Sequence, residues 1–146
     1  MVPKICRKVK ELGIKIDYIE MEDNGHFGIF NNLPIILINQ NLNKLDTSLT
    51  ILHETAHFLK KKKEKCITNH FQNNNIEYEA NRYMIQVVMK MLDEQYDFTP
   101  DTNYQQIIDK LSLPYHLDGV IIDEFNNIIS DKFDLTPYRE SDYFYE

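Results

Sequence analysis

The sequence predicts an α+β fold: an N-terminal helix, a small, mostly antiparallel three-stranded sheet, a helix pair, then short C-terminal helices. Three observations carry this prediction. Between residues 14 and 40, three short runs rich in β-formers are separated by DNG and NLP turn signals. From Leu45 onward the apolar period becomes that of a helix. At 146 residues, with 42% hydrophobic and 12% aromatic content, the chain is long enough to bury one core and matches the composition of a globular protein.

Residues 3–12 (PKICRKVKEL) form the first expected helix, with Pro3 tolerated in its opening turn and Gly13 just past its end. The strand runs are IKIDYIEM (14–21), HFGIFN (26–31) and PIILINQ (34–40). The third is continuously apolar from Ile35 to Ile38, which suits a buried central strand. The run His26 to Ile29 reads as an edge strand to which an extended peptide could add.

Leu45, Leu49, Leu52, Ala56 and Leu59 then recur at helical spacing up to about Lys60, with Asn43 or Asp46 available as cap. Lys60 to Lys65, five lysines and one glutamate, read as a solvated helix end favoured by the dipole. The polar stretch ITNHFQNNN (67–75) is expected as loop, because asparagines bond their own backbone and resist regular structure. Helix resumes at Ile76, whose apolar stripe runs through Ala80, Tyr83, Met84, Val87, Val88 and Met91. After a turn at Thr99-Pro100, two shorter helices follow near 103–111 and 114–125. One domain is expected over 1–125, with 126–146 a C-terminal tail.

No apolar run approaches the roughly 20 residues of a membrane helix, and residues 1–15 hold no signal-peptide core, so the expected location is the cytosol. Cys6 and Cys66 are too few for a disulfide framework and read as reduced thiols. A net charge of −7 disfavours nucleic acid and anionic membranes, leaving proteins or small molecules as partners.

The chemistry concentrates in HETAH (53–57). Residues four apart on a helix share a face, so His53 and His57 can each offer an imidazole nitrogen to one cation. Glu54, about 100° further round, can reach a water beside that cation as a base. Such sites use a third protein ligand, for which Glu77 and Glu79 compete. On the helical wheel Glu77 lies at the edge of the apolar stripe and Glu79 points away. Asn81, four residues after Glu77, shares its side and could hold a ligand histidine from behind by accepting its second ring N–H.

HETAH (53–57) followed 20 residues later by EYEAN (77–81) resembles the ImmA/IrrE family of metallopeptidases, whose members show HExxH and then ExxAN or ExxAD. The element order over roughly residues 1–95 resembles that family too. The resemblance implies a gluzincin-like centre holding one zinc per chain, with His53, His57 and Glu77 as ligands and Glu54 as general base. It also implies encoding by a phage or other mobile element, and action on a cytosolic transcriptional repressor. Where family members usually read HELGH, this chain has Thr55 and Ala56, both small enough for a buried helix. Where they carry a proline after the glutamate helix, this chain has Lys90, so the helix is expected to continue, to about Gln95.

The donor that would stabilise the oxyanion stays open among Tyr83, His70 and His26. An alternative function also stays open: a zinc-binding antirepressor that masks its target without cutting it, for which the acidic, aromatic tail Tyr138–Glu146 would suit as recognition segment. A helix-turn-helix over 103–125 is disfavoured by Asp101, Asp109, Asp118, Asp123 and Glu124.

Overall fold

The computed structural model describes residues 1–64 and 73–133. Its elements are α1 (Val2–Glu11), β1 (Lys15–Ile19), β2 (Gly25–Phe30), β3 (Leu33–Asn39), α2 (Lys44–Glu64), α3 (Asn73–Tyr96), α4 (Tyr104–Leu111), a 3-10 turn (Tyr115–Leu117) and α5 (Asp118–Phe133). The described residues pack as two compact units, one from Met1 to Val88 and one from Met89 to Phe133.

In the first unit, α1 ends in a Schellman cap. Gly13, at φ 84°, donates to Lys10 O, and the next N–H, of Ile14, donates to Val9 O. Val9 and Ile14, both 2% exposed, make the apolar contact that accompanies this cap and turn the chain into β1.

The sheet order is β1-β3-β2, and the sheet is mixed rather than mostly antiparallel: β3 runs antiparallel to β2 and parallel to β1. The cause is a vacant slot. Residues 20–24 bridge two strand spacings, about 9.6 Å, and β3 folds back from β2 into the gap. The return is a two-residue hairpin in which Asn31 and Asn32 both take positive φ, 51° and 65°, as a type I′ turn demands and asparagine tolerates. Pro34 is permitted because pairing with β1 begins only at Ile35. Ile36 and Ile38 are fully buried under α2, whereas Ile35 and Leu37, on the opposite face, are half-buried.

α2 packs against β2, β3 and α1. Asn43 caps it, its Oδ1 accepting from Asp46 N at 2.7 Å while its Nδ2 donates to the Asp46 carboxylate. Thr55, 1% exposed, donates its hydroxyl to Ile51 O, so the residue beside the motif is buried without an unsatisfied group. Gly25 is required where β2 meets α2: a Cβ there would stand 2.6 Å from Thr50 Cγ2 and 2.9 Å from Leu37 O.

α3 begins at Asn73, so the asparagines expected as loop form its first turn, where N–H groups lack intrahelical acceptors in any case. It continues to Tyr96, in line with the expectation built on Lys90. In the second unit, Lys132 of α5 ties down the end of α3, donating to Asp93, Asp97 and Phe98 O at 2.7–2.9 Å. Phe125 of α5 packs on Phe98 and Tyr104. α5 runs to Phe133, eight residues past the helix end that the sequence suggested (133 − 125). Cys66, His70 and the segment Tyr138–Glu146 lie outside the described residues. Among the described residues no helix is long and apolar enough to cross a membrane.

Candidate metal centre

His53 and His57 stand one turn apart on α2, on the flank that faces α3, each side chain about one-fifth exposed. The first turns of α3 bring Glu77 across to them. His53 Nε2 is 3.1 Å from Glu77 Oε2, His57 Nε2 is 3.0 Å from Glu77 Oε1, and the two Nε2 atoms are 3.2 Å apart. These three residues are the group among the described residues that could hold a metal ion.

The donor set fits such an ion. Tetrahedral zinc with bonds of about 2.1 Å sets its ligand atoms roughly 3.4 Å apart, close to the separations here, and takes imidazole nitrogen together with carboxylate oxygen. The Glu77 side chain is 67% exposed, so the triad lies at the protein surface, within reach of solvent.

The three residues line a cleft of about 540 Å³ that Glu54, Lys60 and Lys61 share from α2. Glu54 has no ion-pair partner among the described residues, so its carboxylate is free to meet a molecule in the cleft. β2 closes another side with His26 and Phe27, and Phe27 is held by edge-on contact with Phe58, centroids 5.8 Å apart. β2 is an edge strand, as expected.

Glu79 takes no part in the triad. It accepts from Lys60 Nζ at 2.7 Å, an ion pair that links α2 to α3 beside the candidate ligands. Lys60 is therefore not the solvated end residue that the lysine run suggested, although Lys61 and Lys62 are exposed. The pair was missed because its partners lie 19 residues apart on two different helices; the available signal was Lys60's place one turn beyond His57.

Asn81 is half-buried and makes no hydrogen bond to His53 or His57. Both Nε2 atoms face Glu77. Of the oxyanion candidates, His26 lines the cleft and Tyr83 does not; burial raises the Tyr83 phenol pKa, so it stays protonated. On the sheet, burial and a contact with Cys6 push Tyr18 up to about 12.

A family model described as the IrrE N-terminal-like domain of the M78 peptidases matches residues 9–109, well over half the chain and inclusive of both motifs. No curated protein and no solved structure matches the chain.

Proposed function

The chain belongs to the IrrE N-terminal-like peptidase family, and from that premise we propose that it is a zinc-dependent endopeptidase that cuts one specific cytosolic protein, a helix-turn-helix repressor encoded beside it on a phage or mobile element. The observation that carries the chemistry is the convergence of His53, His57 and Glu77 within 3.2 Å of one another, with Glu54 on the same cleft.

His53, His57 and Glu77 would hold the ion. When bound, zinc would polarise the substrate carbonyl and lower the pKa of a water toward about 7. Glu54 accepts that water's proton as its oxygen attacks the peptide carbon, and gives the proton to the leaving amine as the C–N bond breaks. His26, which lines the same cleft, would donate to the developing oxyanion. An extended substrate segment would lie along β2, whose outer edge pairs with no strand among the described residues.

The cleft is open, so contacts remote from the cut must supply orientation, and generic unfolded protein is a poor substrate. The test is to incubate the zinc-loaded protein with the neighbouring repressor and with casein, each with and without chelator. Chelator-sensitive cleavage of the repressor, with casein largely intact, supports the reading. Rapid casein digestion overturns its specificity. An intact repressor that nevertheless loses DNA binding replaces cutting with masking.

A further inference from the structure

His53, His57 and Lys61 succeed one another at four-residue intervals, so they run along one face of α2 and Lys61 stands a turn, roughly 6 Å, beyond the second histidine. Both Lys60 and Lys61 line the cleft, but Lys60 is already matched by Glu79. Lys61 is exposed and has no acidic partner among the described residues. A lysine near a helix C-terminus suits the dipole wherever its head points, and Lys62, also exposed but outside the cleft, meets that need equally well. The dipole therefore does not account for a cation inside the cleft that has no acidic partner among the described residues, in a chain whose net charge is −7.

We propose that Lys61 is a specificity-determining residue: it forms a subsite for an acidic side chain of the substrate, two to four residues from the bond that is cut. The proposal rests on the peptidase reading above and adds the class of sequence that is cut. The reach follows from dimensions. An extended peptide advances about 3.3 Å per residue, so one helical turn plus the length of a lysine side chain covers that range. Phe27 and Ile76 line the same cleft and add apolar wall to it. At long range the chain's negative field repels an acidic peptide, so the preference must come from this contact and be local in the substrate.

The test is end-point mapping of cut sites on a proteome-derived peptide library, which reports preference even for a slow enzyme. Zinc-loaded wild type, Lys61→Glu and Lys62→Ala are compared. Wild type and Lys62→Ala should enrich Asp and Glu about threefold at one position two to four residues from the cut, the size that an exposed ion pair supports. Lys61→Glu should lose that enrichment and favour Lys or Arg there. Cut sites without acidic enrichment, or enrichment that survives Lys61→Glu, overturn the subsite and leave the peptidase reading standing. A library left uncut by wild type while the repressor is cut overturns the subsite as a general selector; a library and a repressor both left uncut overturn the peptidase reading, and the subsite with it.

Discussion

Lys60 Nζ bonds Glu79 Oε2 at 2.7 Å, and this contact separates the duties of two glutamates that lie two residues apart. With Glu79 engaged by α2's lysine, Glu77 is the carboxylate that turns to the histidine pair, 3.0 and 3.1 Å away. Removing Glu77 and removing Glu79 should therefore have different consequences. Glu77→Ala should weaken zinc binding by more than about 100-fold, beyond the 10- to 100-fold cost of losing a residue that only supports a ligand. Glu79→Ala should keep one zinc per chain and cost no more than about 1 kcal/mol of stability, since Glu79 is half-exposed. Metal analysis after dialysis, with a chelator titration, checks both; equal losses would break the assignment.

Glu54 shares the cleft but stands outside the triad, which separates its role from metal binding. Glu54→Gln keeps size and polarity and removes the proton acceptor. It should retain zinc and its melting temperature while turnover of a cleavable substrate falls about 10²- to 10⁴-fold, the usual worth of a general base. Turnover near the wild-type level would assign the proton transfer elsewhere.

What the sequence made legible, and what it hid, divides by range. The α2 and α3 periodicities, the Gly13 stop and the apolar run of β3 are local signals, and the elements stand where those signals lie. The wheel likewise distinguished Glu77 from Glu79 by side alone. Strand direction was hidden, because the parallel β1–β3 pairing depends on β3 entering a slot left open earlier in the chain. The asparagines at the start of α3 misled because a residue that disfavours helix interiors is at home in a first turn.

In the second unit, Lys132 donates to Asp93, Asp97 and Phe98 O, and the two carboxylates raise its pKa above the ordinary lysine value of 10.5. A raised folded-state pKa means the tie is fully present below the unfolded value and is lost as pH rises through the folded one. Wild type should therefore melt above Lys132→Gln by a constant margin from pH 7 to about 9.5, and the margin should shrink at higher pH. Melting curves of the two proteins across that range check it. A margin that does not change with alkalinity would assign the tie to packing of the lysine stem.

Gly25 is a point where β2 lies tight against α2, beside His26 and Phe27. In Gly25→Ala the new Cβ meets a movable group, Thr50 Cγ2, and an immovable one, Leu37 O in the central strand. The first can turn aside; the second can be relieved only by shifting a strand, so the substitution should cost about 1–3 kcal/mol, as overpacking typically does. Adding Thr50→Ala should recover part of that loss and not all of it. Denaturant unfolding of the single and double variants measures both. Full recovery would mean that the strand backbone yields freely, and a neutral Gly25→Ala would mean that β2 does not press on α2.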